Sequence, residues 1–300
     1  MRHGEAAARR LSLEAPAKVN LALHVTGRRD DGYHLLDTVA VFTGVADRLE
    51  TEPAVDLGLV VEGPFAASLR DEDVSENLVL KAARLLGGLP VRIELEKNLP
   101  VAAGIGGGSA DAAAALRLLA DLSDRSPDRA RLHAAALALG ADVPMCLAGV
   151  PLRARGIGEV IEPLPGFPSL PLLLANPLVP VPTGRVFRAL DLRSRGPLPP
   201  SEGLRDIPDV VAWLARAHND LEAPAIATEP VVGEVLAALR QLPGCGFARM
   251  SGSGATCFGV FADLDTAERA AAELRSVRPK WWILATATRT VAPTIVRIAG

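Results

Sequence analysis

The sequence predicts an α+β protein of two lobes, and three observations carry that expectation. The chain has 300 residues, more than one domain usually holds. Strand-like alternation and helical spacing are interspersed along it. The style changes after about Pro151, where proline becomes frequent. The expected boundary lies near residue 155, giving lobes of 1–155 and 156–300.

Hydrophobic residues make up 49% and charged residues 22%, enough apolar material for sizeable cores. Aromatic residues are only 4%, with a single tyrosine, Tyr33, so the interior must be built mainly of Leu, Val and Ala. A net charge of −3 leaves no basic footprint for nucleic acid or an anionic membrane. Three widely spaced cysteines, Cys146, Cys245 and Cys257, argue against a disulfide framework or a zinc site and fit a reducing compartment. Met1 to Pro16 lack a secretory apolar stretch, and no run of about 18 apolar residues occurs. The expectation is a cytoplasmic protein that binds neither nucleic acid nor membrane.

From Lys18 the sequence alternates. Val19, Leu21, Leu23 and Val25 share one face, and Lys18, Asn20, Ala22 and His24 the other, so Lys18 and Asn20 lie side by side on a strand. The charged segment 27–32 ends it, and 35–45 reads as a second strand. Residues 76–86 have helical spacing, with Leu78, Ala82, Leu85 and Leu86 on one side and Gly87–Gly88 as the stop. Residues 91–95 form a short strand, followed by a Gly-rich loop and Ala-rich helical sequence to about Leu122. A helix over 128–139 ends at Gly140.

In the second lobe 170–175 is a buried strand, and 196–208 is a polar, Pro-rich connection expected to be mobile. Then come a helix (229–242), a strand (247–250), a Gly/Ser turn, a strand (255–261), a helix (266–277) and a strand (281–288). Asp265 with Glu268 three residues on reads as a capping box. With a helix after the 170–175 strand, this order approximates the split βαβ arrangement of ferredoxin-like domains.

The strongest local signal is Leu99-Pro100-Val101-Ala102-Ala103-Gly104-Ile105-Gly106-Gly107-Gly108-Ser109-Ala110. Glycines permit positive φ and close backbone approach, and the loop opens onto a helix whose free N–H groups and dipole favour an anion. Ser109 can cap that helix or contact a phosphate or its metal. By itself the stretch reads equally well as an ordinary Gly-rich connection. It is neither a Walker loop nor the Gly-x-Gly-x-x-Gly fingerprint, since Ser109 stands where the third glycine belongs. No protein-kinase motif occurs either. Asp111, at the start of the same helix, competes with a bound phosphate and has to point away.

A second cluster, Met250-Ser251-Gly252-Ser253-Gly254-Ala255, joins two strands and by itself reads as a hairpin turn. Asp142, in Gly140-Ala141-Asp142-Val143-Pro144, stands where an N-cap is usual. Lys18 by itself reads as a solvated edge charge.

The combination is specific. Pro16-Ala17-Lys18-Val19-Asn20-Leu21, the loop from Gly104 to Ser109 with its helix, and Ser251-Gly252-Ser253-Gly254 occur in that order. Together they resemble the GHMP kinase superfamily, from about residue 12 to about 288. Gly27-Arg28-Arg29-Asp30-Asp31-Gly32-Tyr33-His34, Glu76-Asn77-Leu78, Gly140-Ala141-Asp142-Val143-Pro144 and Pro182-Thr183 with Phe187 are similar to one branch of it. That branch acts on a small molecule carrying a cytidine diphosphate.

The resemblance implies a two-lobed fold, ribosomal-protein-S5-domain-2-like in its N-terminal lobe and ferredoxin-like in its C-terminal lobe. It implies transfer of the γ-phosphoryl of ATP, brought with Mg²⁺, to the carbon-two hydroxyl of a methylerythritol unit in non-mevalonate isoprenoid synthesis. Residues Pro100 to Ala110 would hold the ATP phosphates, with Asn77, Leu78 and Lys97 near the adenosine. Asp142 would orient or deprotonate the acceptor hydroxyl, and Lys18 would stabilise the transferring phosphoryl group. Tyr33 and Phe187 would stack on the cytosine, His34 would bond its edge, and Asn20 and Thr183 would sit near the sugar alcohol or diphosphate.

The protein ligand of the metal stays open, with Ser109 as the candidate. Ala102-Ala103 and Ala110-Asp111 depart modestly from the usual loop. Two rival readings are another GHMP kinase, of homoserine or mevalonate type, and a silent nucleotide-binding regulator. Gly32-Tyr33-His34 with Phe187 weigh against the first, and Lys18 with Asp142 against the second.

Overall fold

A computed structural model describes residues 9–70, 73–123, 127–191 and 196–298. Two long strands, β1 (Arg10–Arg28) and β2 (His34–Pro53), pair antiparallel and run through both halves of the molecule. Both exceed the expected strands: β1 also takes in the alternating Leu11, Leu13 and Ala15 before Lys18, and β2 runs on past Val45 to Pro53. Three register shifts interrupt their ladder. At the second, Asn20 faces Ala40 and Ala22 faces Val39, which leaves Leu21 as the extra residue of a bulge. Strict alternation therefore fails there: Leu21 and Ala22 join Val19 in one core, while Leu23 and Val25 join another.

The first sheet adds β3 (Gly58–Glu62), parallel to β4 (Val91–Glu96), and a hairpin of β5 (Leu152–Gly156) and β6 (Val160–Pro163) against β2. Helices α1 (Leu78–Leu85), α2 (Gly107–Leu122), α3 (Arg129–Leu139) and α4 (Val143–Ala148) cover it. Helix α2 is apolar on nearly every side from Ala110 onward, as a central helix must be. Its alanines let β1, α1 and α4 approach closely. Helix α1 buries Val79, Leu80, Ala82 and Ala83, while Leu85, expected on the inner face, is exposed. The rotation follows from the cap: Asn77 Oδ1 accepts from Val79 N at 2.9 Å, so the helix starts at Leu78.

The second half contains β7 (Pro171–Asn176), α5 (Thr183–Arg188), α6 (Ile207–Leu214), α7 (Glu222–Thr228) and α8 (Val231–Gln241). It continues with β8 (Phe247–Met250), β9 (Cys257–Val260), α9 (Leu264–Val277), β10 (Trp282–Arg289) and β11 (Val296–Ile298). The sheet order β10-β7-β9-β8, all antiparallel, is the ferredoxin-like order, as expected. The end of β10 pairs with β2, and β11 pairs with the start of β1, so the chain end returns to the first sheet.

Two expectations need correction. Helix α9 is capped by Asp263, whose Oδ1 accepts from Thr266 N at 2.7 Å, and not by a box at Asp265 and Glu268. The 196–208 connection is pinned to the fold. Leu198 is buried, and its amide donates to Asp37 Oδ2 at 3.0 Å. Arg153 grips both oxygens of Asp37 at 2.8 and 2.6 Å and also reaches Leu198 O. Proline content marked the segment as irregular, but long-range partners decide whether it moves.

Candidate active site

Three segments far apart in sequence meet at the middle of β1. Lys18 N donates to Ile105 O at 2.8 Å, and Thr256 N donates to Ala103 O at 3.1 Å. Ser251 Oγ accepts from Asn20 N at 3.1 Å and donates to Gly104 O at 3.0 Å. One hydroxyl therefore ties β1 to both glycine clusters. Gly104 has φ +73°, and a Cβ there would lie 2.4 Å from Gly254 O and 2.8 Å from Ser251 O. Gly106, at φ +64°, is the N-cap of α2. Only glycine lets these backbones touch, so the loops form one rigid cradle. Of the two roles open to Ser109, the cap is not taken: it is the third residue of α2, and Gly106 turns the chain into the helix.

Asp142 holds the N-cap position of α4, but its side chain makes no cap hydrogen bond. Its Oδ1 lies 2.9 Å from Lys18 Nζ. The lysine side chain is 3% exposed and the aspartate 43%, so the carboxylate faces the cavity and the ammonium supports it from behind. The sequence readings of Asp142 as a cap and of Lys18 as a solvated edge charge do not hold.

A cavity of 1120 Å³ opens over this pair. Ligand sites commonly measure about 300–1,000 Å³, so this cavity has room for a large ligand or for two smaller ones. Ala102, Ala103, Gly104, Gly106, Gly107, Gly108, Ser109 and Leu78 line one side. The first amides of α2 have no partner inside the helix, and its dipole adds to them there. Asn20, Tyr33, His34, Thr183 and Phe187 also line the cavity, as do Lys18 and Asp142.

At the far end His34 and Phe187 stack on each other, with ring centroids 4.8 Å apart and planes at 29°. Tyr33 stands 59% exposed at the rim. In this conformation Phe187 is covered by the His34 ring. Burial, and then the Arg28 guanidinium, hold the His34 imidazole below its ordinary pKa. Asn20 Nδ2 donates to Thr38 Oγ1 at 2.9 Å, and Thr183 Oγ1 and Ser253 Oγ lie 2.9 Å apart. Arg28, Thr38, Ser253 and Arg188 also line the cavity; Arg28 and Ser253 lie in the motifs quoted above without a role of their own, and Thr38 and Arg188 were not singled out from sequence. Arg188 had one available signal, its place beside Phe187.

Residues 77–150 match the family profile described as GHMP kinases N terminal domain, and residues 202–280 that described as GHMP kinases C terminal. The 4-diphosphocytidyl-2-C-methyl-D-erythritol kinase of Cereibacter sphaeroides is 56% identical over 90% of this chain and 96% of its own. That of Paramagnetospirillum magneticum is 53% identical over 91% and 96%. The chain belongs to the 4-diphosphocytidyl-2-C-methyl-D-erythritol kinase family of GHMP kinases. A crystal structure of 4-(cytidine 5'-diphospho)-2C-methyl-D-erythritol kinase superposes with TM-score 0.74 at 38% identity, covering 92% of this chain and 98% of that one. A homoserine kinase from Cytophaga hutchinsonii, at 17% identity and TM-score 0.70, shares the fold.

Several residues expected at the nucleotide do not line this GHMP kinase's cavity. Pro100 and Val101 lie outside it, and Ile105 and Ala110 point into the core. Asn77 uses its carbonyl oxygen to cap α1. Lys97 is buried at 2% exposure, its ammonium held between Asp47 and Asp111. Asp111 points away from the loop, as a phosphate site there requires. Among the described residues no group of three or more His, Cys, Asp or Glu is placed to hold a metal, and no helix is long and apolar enough to cross a membrane.

Proposed function

We propose that this kinase transfers the γ-phosphoryl group of ATP to the carbon-two hydroxyl of 4-diphosphocytidyl-2-C-methyl-D-erythritol, in non-mevalonate isoprenoid synthesis. The observation that carries the reading is the Lys18–Asp142 pair, 2.9 Å apart in the one cavity that the glycine cradle and the stacked His34 and Phe187 also line. Phosphoryl transfer depends on positioning and on stabilising charge at the phosphoryl oxygens. The amides at the start of α2 would receive the β- and γ-phosphates. Lys18, fixed by its backbone bond to Ile105 and packed against Gly106, would meet the transferring group. Asp142 would accept the hydroxyl proton or hold the hydroxyl in line.

At the acceptor end the cytosine would enter between Tyr33 and Phe187, displacing the His34 ring. Stacking of this kind is worth about 1–3 kcal/mol per base. A neutral His34 can both donate to and accept from the base edge. Asn20 and Thr183 would bond the sugar alcohol or the diphosphate. Mg²⁺ would arrive with ATP and neutralise phosphate charge, and the Ser109 hydroxyl suits a metal whose other ligands are phosphates and waters.

A coupled ADP-release assay with Mg-ATP, comparing the cytidyl acceptor with homoserine, mevalonate and galactose, tests the reading. Turnover with the cytidyl acceptor alone is expected. Turnover with another acceptor would remove the cytosine site, and ATP binding without turnover would indicate a regulator.

A further inference from the structure

The structure assigns to Lys97 and Asp111 a positioning role: with Asp47 they form a buried clamp that joins the two ends of the phosphate loop beneath the first residue of α2. The assignment rests on the reading of that loop as the ATP phosphate site. Asp47, on β2, is fully buried and stays within the fold's first sheet. Its Oδ1 accepts the amides of Asn98 at 2.6 Å and Leu99 at 2.8 Å, the residues where the loop begins. Its Oδ2 accepts from Lys97 Nζ, and the same ammonium donates to Asp111 Oδ2 at 2.8 Å on α2, where the loop has ended. Lys97 is itself fixed through its backbone, donating to Glu62 O at 2.7 Å and accepting from Phe65 N at 3.0 Å.

The clamp lies directly under the anion site. A Cβ on Gly107 would sit 3.1 Å from Lys97 Nζ and 3.7 Å from Asp47 Oδ2. The height of Gly107, and with it the aim of the first α2 amides, therefore depends on where the ammonium is held. Lys97 cannot also reach a nucleotide, because both carboxylates enclose it and it does not line the cavity. Asp111 Oδ1 is buried without a hydrogen-bond partner, so the carboxyl is held through Oδ2 alone. Burial first, and Asp47 further, push the Asp111 carboxyl up to about 8 against the pull of Lys97. Asparagine is the close isostere of the protonated carboxyl and keeps the acceptor for Lys97.

The test is Mg-ATP affinity by calorimetry, with KM values for both substrates, in Asp111→Ala and Asp111→Asn. Both variants leave the Lys97–Asp47 pair intact, so the fold keeps a charge-balanced core. Asp111→Ala is expected to weaken ATP about 10- to 100-fold, the scale of a displaced site, with acceptor KM within about 2-fold. Asp111→Asn is expected to restore ATP affinity to within about 3-fold of the parent. Unchanged ATP affinity in Asp111→Ala, with only lower thermal stability, would overturn the clamp. Equal loss in both variants would overturn it too. Absence of turnover by the parent with the cytidyl acceptor would count against the proposed activity, while the calorimetric comparison would still decide the clamp.

Discussion

Asp142 stands at a helix N-cap yet gives its carboxylate to Lys18, and the missing cap bond marks it as a residue kept for another purpose. Asp142→Ala should therefore cost little helix stability but lower turnover by at least about 10²–10⁴-fold. Steady-state kinetics beside calorimetric ATP binding checks this, with ATP affinity expected to hold within a few-fold. Asp111 makes the opposite use of a carboxyl. Its folded pKa is raised to about 8, so the folded protein binds its proton more tightly than the unfolded chain does. Stability from this group is then present at low pH and is lost as pH rises from the ordinary carboxylate range through about 8. Melting temperatures of the parent should fall over that window relative to Asp111→Asn, which has no proton to lose. Parallel curves would mean that the carboxyl does not titrate there.

Elements meet in this protein through backbone contact more than through side-chain bulk. The cradle exists because Gly104 can lie against Gly254 and Ser251, and because the Ser251 hydroxyl bonds β1 and the loop at once. Gly104→Ala adds a Cβ that would overlap two carbonyl oxygens on a backbone at φ +73°. The expected loss is about 1–3 kcal/mol or more, read by denaturant unfolding, together with weaker ATP binding. Asn219 supports the second glycine turn from below, donating to Met250 O at 2.9 Å and Gly252 O at 2.8 Å. Helix α3, by contrast, is an exposed element with a local cap, since Asp128 Oδ1 accepts from Arg131 N at 2.7 Å. Asp128→Ala should cost about 1 kcal/mol and leave kinetics unchanged.

At the scale of the molecule, β1 carries residues of four apolar clusters in sequence, at Leu11, Ala17, Leu21 and Val25. The cavity is lined from three of them, by Met145, by Ala103 and by Leu23 with Val181, so its walls come from different parts of the chain. Bound ATP stabilises whatever binds it, by about 2.7 kcal/mol at 100 times its Kd. A rise of several degrees in Tm with saturating Mg-ATP is expected in the parent and in Asp142→Ala alike. No shift in either would mean that the folded chain does not bind Mg-ATP.

The sequence by itself determined the types of the elements it marked, the ferredoxin-like order and the residues that could carry chemistry, because periodicity, caps and glycine clusters are local. It marked no strand at β3, β5, β6 or β11 and no helix at α6 or α7. Helix α3 with its Asp128 cap and strand β8 at Phe247–Met250 stand where their local patterns put them. Lys18, Asp142, Tyr33 and Phe187 were legible only as a combination, since each had a structural reading of its own. Tertiary structure decided the rest. It paired Asp142 with Lys18 and buried the Lys97 ammonium between Asp47 and Asp111. It set His34 against Phe187 and anchored the proline-rich connection through Asp37 and Arg153. The physical reason is the same in each case. A charge or ring finds its partner across scores of residues, and the free energy of burial and pairing depends on which groups the fold brings within about 3 Å.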